Sequence, residues 1–398
     1  MVDTVRTPLA SGPTPERERA LAPDLARGVM LALIAVANAA LYLHDRPAGV
    51  RGHVRDGSAL DRAWVLLQMT VVDGRAYPMF AALFGYGMVQ LANRQLALGA
   101  TPARVRRLLR RRALWLVCFG LVHALLLFSG DILGPYGLLA MLVTLLLVAP
   151  ARVLLGVAAA ALVLTAAIGA FVGFVPPDGE RVVMPSLAES DPLTATGLRL
   201  SEYSYSFVPG TVLLLTPALL GVWAARHRLL EETDRHRTLL RRVCVVGLGT
   251  AVVGGLPLAL AAAQVWHLSG LGLAAASSLH TVTGFAGGLG YAALMGLVAN
   301  RLGTRRGPLV SALVACGRRS LTCYLAQSVV FVALLAPYAG GLGARLGSAQ
   351  VALVALLTWA ATVVGADLVR RAGHRGPAEV LLRRLTYGPE ALARSRTT

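Results

Sequence analysis

Six side chains able to exchange protons or bind charge stand inside or beside strongly apolar sequence. Asn38, His123 and His280 lie within long apolar runs, and Asp131 follows His123 by eight residues. Asp73 and Arg75 interrupt another run, within Val72-Asp73-Gly74-Arg75-Ala76-Tyr77-Pro78. A charge at bilayer depth costs at least about 2.5–3.5 kcal/mol, so such groups line a cavity or pair with each other. A histidine can take a proton there, and a buried amide can donate to developing negative charge. Each group also has a plainer reading. His123 could bond a neighbouring carbonyl, His280 could bond within its bundle beside Ser277 and Ser278, and Asn38 could join two helices. The break at Asp73–Arg75 frees backbone polar groups, tolerable only where protein or a water-filled cavity receives them. That makes the broken segment a candidate cavity wall.

Helices must position these groups. A helix rising 1.5 Å per residue needs roughly 20 apolar residues to cross a ~30 Å hydrocarbon core. Runs at 25–43, 113–128, 132–149, 153–175, 208–225, 243–266, 273–299, 320–338 and 351–368 approach or meet that length, and an interrupted one covers 63–91. The pattern predicts an all-α fold: a polytopic integral membrane helix bundle of about ten transmembrane helices (nine to eleven), the second interrupted. Composition agrees, with 56% hydrophobic and 15% charged residues among 398 and a mean hydropathy of +0.64. The net charge of +18 and pI near 11.1 could suggest nucleic acid, yet the basic residues gather at helix ends rather than along a soluble face. No nucleic-acid partner is therefore expected; the lipid bilayer is.

Short loops rich in arginine stay cytoplasmic. The rich gaps are Arg17 and Arg19, Arg94–Arg112, Arg152, Arg226–Arg242, Arg301–Arg319 and the tail from Arg370; the intervening gaps are poorer or balanced by acids. Ten crossings with both termini cytoplasmic satisfy this alternation, giving a multi-pass cell-membrane protein. The expected organisation is a cytoplasmic segment (1–24), an N-terminal transmembrane half (25–225), a basic loop (226–242), a C-terminal half (243–388) and a cytoplasmic tail (389–398). The first run could be a cleaved signal peptide, with Ala37-Asn38-Ala39 as its small-residue site, but its length and the Asp24/Arg27 pair favour a retained anchor. The segment 176–207 reads as an outer cap or connection. Cys118, Cys244, Cys316 and Cys323 form no disulfide framework. Metal-spaced Cys/His sets, a phosphate-cradling Gly-Lys loop and a serine nucleophile elbow are absent from the sequence, and no metal is expected.

Several motifs together resemble the YeiB-like membrane proteins. They are Asp24-Leu25-Ala26-Arg27-Gly28 with the following run to Asn38, and Asp73-Gly74-Arg75-Ala76-Tyr77 before Phe80–Gly85. Gly120, His123, Gly130-Asp131-Ile132-Leu133 and Tyr136 form a third. Gly317-Arg318-Arg319-Ser320-Leu321-Thr322-Cys323-Tyr324-Leu325-Ala326-Gln327-Ser328 and the closing Gly376-Pro377-Ala378-Glu379…Arg383…Tyr387-Gly388 look like that family's C-terminal domain of unknown function. The family is in turn similar to the transmembrane acyltransferase superfamily of the heparan glucosaminide acetyltransferase type.

That resemblance implies a bacterial inner-membrane protein in which cytoplasmic acyl-CoA, acetyl-CoA first among donors, serves as co-substrate and the acyl group passes to an outer hydroxyl or amine of a small molecule or glycan. Asn38 matches the active-site asparagine of those enzymes. Their catalytic histidine lies soon after it, where this chain has His44 and His53 without a clear match. In this reading His123 is the base, Asp131 holds its tautomer, and Asn38 donates toward the thioester oxygen. Arg75, Arg104, Arg107, Arg110 and Arg111 receive the phosphates of CoA as bidentate guanidinium forks. Asp73, His280, Tyr136 and Gln327 line the substrate cavity. The alternative is a transporter or exporter of a small molecule, with the broken helix at its binding site. A homodimer is left open.

Overall fold

The computed structural model describes residues 21–174, 184–303 and 307–388. Arg17, Arg19 and the tail 389–398 lie outside them. The described residues form helices α1 (Leu21–Ala40), α2 (Ala59–Val71), α3 (Ala76–Ala97), α4 (Pro102–Leu126), α5 (Leu133–Leu146), α6 (Ala151–Phe174) and α7 (Pro192–Arg226). The order continues with α8 (Arg237–Ala262), α9 (Gly270–Leu302), α10 (Pro308–Arg318), α11 (Ser320–Leu335), α12 (Ser348–Arg371) and α13 (Pro377–Tyr387). The one strand-like feature among them is an isolated bridge from Ala48 to Val54. Helices α1, α6, α7, α8, α9 and α12 are long and apolar enough to cross a membrane, while α5, α10 and α11 are apolar but shorter. Phe171 of α6 and Val253 of α8 are each 74% exposed. Apolar surface on that scale suits lipid rather than water. The all-α polytopic membrane fold expected from the sequence is the observed one.

The expected interruption is present as the break between α2 and α3, although neither helix is among the six long and apolar enough to cross a membrane. The helix stops at Val71 and resumes at Ala76, with Gly74 at φ +76°, a left-handed conformation in which a side chain would be strained. Helix α9 receives the unwound stretch: a Cβ at Gly284 would overlap the Gly74 carbonyl. The Arg75 side chain then runs into a slot between α8 and α9, where a Cβ at Gly255 would overlap Nη2.

Four segments depart from expectation. The presumed outer connection 176–207 is helical from Pro192, because Asp191 caps the Thr194 amide at 2.7 Å and Pro192 suits the first turn. Capping outweighs the polarity that suggested a loop. The arginine-rich gap from Arg94 holds the first half of α4, capped by Thr101. The gap 301–319 and the tail contain short amphipathic helices, α10 and α13.

The two halves of the chain interleave. α1 packs on α10, α11 and α12, and α3 packs on α7 and α9. α1 and α10 meet at backbone contact, since a Cβ at Gly28 would overlap the Leu313 carbonyl and one at Gly317 the Asp24 carbonyl. Outside the spans, Ser58 and Asp61 form a capping box at the start of α2, and Asp61 also accepts from the Ala349 amide of α12 at 2.8 Å.

Candidate functional site

A cavity of about 830 Å³ opens where the basic helix ends gather. Five cations line it: Arg27 of α1, Arg94 of α3, Arg112 of α4, Arg318 of α10 and Arg383 of α13. Asp24 binds two of them, Arg318 Nε at 3.2 Å and Arg27 Nη1 at 3.4 Å. The inner wall is apolar and aromatic, with Leu31, Phe80, Phe84, Ile132, Leu133 and Tyr136 among its residues. An amphiphilic anion fits such a chamber, its charge among the guanidinium groups and its apolar part within.

α13 forms part of the rim through Glu379, Leu382, Arg383, Thr386 and Tyr387. Glu379 clips it to the first turn of α11. Its carboxylate accepts from the amides of Leu321 (2.8 Å) and Thr322 (3.1 Å) and from the Thr322 hydroxyl (2.5 Å). The free amides at a helix N-terminus are natural partners for a carboxylate, which gives the Gly-Pro-Ala-Glu motif a physical reason.

Tyr324, one turn into α11, lines the inner part of this cavity, and its ring centroid lies 5.0 Å from that of His123. The Tyr324 hydroxyl is buried; the Ile132 amide approaches its oxygen, and among the described residues nothing accepts its proton. His123 Nδ1 stands 2.9 Å from Asp131 Oδ1, off the line of a hydrogen bond, and its Nε2 is 2.9 Å from the Ser328 hydroxyl. Asp131 Oδ2 in turn accepts from the Gly134 amide at 2.7 Å. The chain does fold back between α4 and α5, as the pairing of His123 with Asp131 required. All three side chains are buried, and none is on the wall of either cavity described here.

A second cavity, of about 280 Å³, lies at the other end of α1. Asn38, Arg51, His53, Gln68, Asp73, Tyr77 and His280 line it. Asp73 is 3.4 Å from His53 Nε2 and accepts from Gln68 Nε2 at 3.3 Å, while Arg51 Nη2 donates to Ser277 (3.2 Å) and Thr281 (3.1 Å). Behind it Arg75, 1% exposed, lies 2.9 Å from His280 Nε2 and donates to the carbonyls of Ala251 (2.7 Å) and Asp73. The two cavities approach each other at mid-bundle. Tyr136 of the large one donates to the backbone carbonyl of Tyr77 of the small one at 3.3 Å.

The expected site residues thus fall into separate groups. Asn38, Asp73 and His280 share the small cavity, and Tyr136 lines the large one. His123 and Asp131 pair elsewhere, so the single chamber expected for His123, His280 and Asn38 does not form. Arg75 spends both terminal nitrogens on the fold. Arg104, Arg107, Arg110 and Arg111 are exposed on α4 and do not line the large cavity; Arg112 does. Gln327 is buried and donates to Thr362 at 3.4 Å. Sequence reasoning missed Arg27, Arg94, Arg318, Arg383, Tyr324 and Ser328 as site residues, and reached Arg112 only as the end of the arginine run. A signal existed for α4: Val105, Leu109, Ala113, Leu116, Gly120 and His123 form its buried stripe at helical spacing. No group of three or more metal-ligating side chains occurs among the described residues.

Residues 224–389 match a family model described as a protein of unknown function, DUF418. The matched segment runs from the end of α7 through α13 and includes Ser328 and the Glu379 clip. The chain is also similar to the uncharacterized protein YxaH of Bacillus subtilis (strain 168), with 27% identity over 336 residues and 78% of each chain covered. Both matches are in keeping with a membrane protein of the DUF418 kind.

Proposed function

We propose that this protein is a membrane acyltransferase that draws acyl-CoA, acetyl-CoA first among donors, into the large cavity. The acyl group then passes to a hydroxyl or amine acceptor from the opposite side. One observation carries the reading: five arginines surround a chamber whose inner wall is apolar and ends at Tyr324, in contact with His123. A cavity on the 300–1,000 Å³ scale holds a large small-molecule ligand, and guanidinium forks suit phosphate oxygens. With the arginine-rich end in the cytoplasm, the chain crosses the cell membrane several times, both termini are cytoplasmic, and the small cavity is the acceptor's side.

In this reading Arg27, Arg94, Arg112, Arg318 and Arg383 hold the anionic part of the donor. Leu31, Phe80, Phe84 and Leu133 exclude water from its apolar end. His123 accepts the proton released on acyl transfer, and Asp131 beside Nδ1 favours the tautomer that leaves Nε2 free to accept it. Asn38 lies on the acceptor's side, with His53 and Asp73 at hand to hold a hydroxylated or amino compound. The test is acetyl-CoA binding to the purified protein in detergent. Saturable binding lost in the Arg94→Gln/Arg112→Gln variant supports the proposal; absence of binding up to millimolar donor refutes it.

One observation favours transport of a small anion instead: cavities from opposite ends close on the Tyr136–Tyr77 contact, as two half-channels would. Flux in vesicles without CoA, unchanged by His123→Ala, would select that reading.

A further inference from the structure

We infer that Ser328 is the nucleophile of a covalent acyl relay in which His123 is its base, Asp131 orients the imidazole and Tyr324 supplies an oxyanion donor. The inference rests on the acyl-donor reading above and adds to it the route of the acyl group. Three atoms carry it. Ser328 Oγ is 2.9 Å from His123 Nε2, and His123 Nδ1 is 2.9 Å from Asp131 Oδ1. A serine, an imidazole and a carboxylate in that order are known by geometry and roles, whatever the fold or chain order. Here they come from α11, α4 and the α4–α5 link, with 205 residues between Ser328 and His123. The carboxylate beside Nδ1 favours the tautomer protonated there, which makes Nε2 at 2.9 Å a nearer acceptor for the Ser328 hydroxyl than the Tyr324 carbonyl at 3.4 Å. The off-axis approach of Nδ1 to Asp131 is of the kind that tightens when a substrate binds.

Tyr324 provides the second, independent observation. It stands one helical turn before Ser328, lines the donor cavity, and buries a hydroxyl whose proton has no acceptor among the described residues. A buried polar group without a partner is uncommon and costs free energy until something accepts its proton. A developing oxyanion at the inner end of the cavity would do so. Ser328 itself is 3% exposed and lies beyond the cavity wall, so acylation requires that wall to open.

The step balances without an added oxidant or reductant. Ser328 Oγ attacks the thioester carbonyl carbon as its proton passes to His123 Nε2. The carbon–sulfur bond breaks, the departing CoA sulfur takes that proton as a thiol, and an acyl ester remains on Ser328. An acceptor hydroxyl or amine then attacks the ester, gives its proton to His123, and His123 returns it to Ser328 Oγ.

The experiment incubates purified full-length protein with acetyl-labelled acetyl-CoA in the absence of acceptor and maps the label by peptide mass. A fluorophosphonate probe of nucleophilic serines is used in parallel. The expected result is acetylation of Ser328, abolished in Ser328→Ala and slowed at least about 10³-fold in His123→Ala. In Ser328→Cys the label becomes a thioester that neutral hydroxylamine cleaves, which a merely structural serine would not produce. Acetyl transfer that persists in Ser328→Ala overturns the relay and leaves the acyltransferase reading standing. If the wild type neither binds nor transfers acetyl-CoA, that reading falls. His123-dependent fluorophosphonate labelling of Ser328 then still supports the reactive triad, and its absence overturns it.

Discussion

Replacing Gly255 by valine tests how the broken helix is held. In the folded protein the Arg75 guanidinium occupies the space a side chain at 255 would need, and its Nη2 donates to the Ala251 carbonyl one turn earlier on α8. The added branch forces the guanidinium out of its slot. Overpacking of a tight site costs about 1–3 kcal/mol, and losing a hydrogen bond from a charged group about 1.5–3 kcal/mol, for a total of about 2.5–6 kcal/mol. In a chain of this size that lowers the melting temperature on the order of 10 °C. Thermal unfolding of the detergent-purified protein reads the change. Gly249→Val is the control: it lies on the same helix, exposed, with nothing within 4 Å of the new Cβ, and its cost should stay within about 0.5 kcal/mol. Arg75→Met should relieve Gly255→Val, leaving a coupling energy of about 0.5–3 kcal/mol between the two. Equal melting of Gly255→Val and Gly249→Val would refute the slot.

Arg94→Gln and Arg112→Gln should each weaken acetyl-CoA binding by about 10- to 150-fold, read by titration calorimetry, because each removes one charge-assisted contact worth about 1.5–3 kcal/mol. Gln at Arg104, Arg107, Arg110 and Arg111 together should leave that affinity within about threefold, since all four face away from the cavity, and should shift only a topology reporter. Burial raises the Asp61 carboxyl, yet the amides of Ala349 and Ser58 and the Ser58 hydroxyl win and hold it below its ordinary 3.8. A depressed value contributes stability above the ordinary carboxylate range and loses it as pH falls through the folded value. Wild type and Asp61→Asn should therefore converge in melting temperature as pH drops from 6 toward about 3, and a gap that stays constant would contradict the assignment.

Much of the architecture was legible because bilayer length and arginine spacing are local signals. The break at Asp73–Arg75 was legible too, since a charged pair and a glycine cannot continue an apolar helix without a receiving partner. The starts of α7, α10 and α13 were not, because Asp191, Gly307 and Gly376 with their following prolines open helices inside polar or basic stretches that read as loops. The site was legible only in pieces. His123 with Asp131 spans eight residues and could be anticipated, whereas Ser328 reaches His123 only through the packing of α11 beside α4. Reading the arginine run 104–112 as one cluster hid that Arg112 alone of its members lines the cavity. One residue of α-helix turns the side chain by about 100°, and that rotation decides which cation meets the cavity.

The Glu379 clip has a mechanical consequence. Because one carboxylate fastens the rim helix to the first turn of α11, any movement of α13 that admits or releases a ligand pulls on the segment bearing Tyr324 and Ser328. The Ala378 amide on the Thr322 hydroxyl and Arg319 on the His374 carbonyl join the same two segments, so in the proposed reading the rim helix and the groups deep in the bundle respond together. An occupant that props α13 outward would also disengage the inner hydroxyls until the rim settles back.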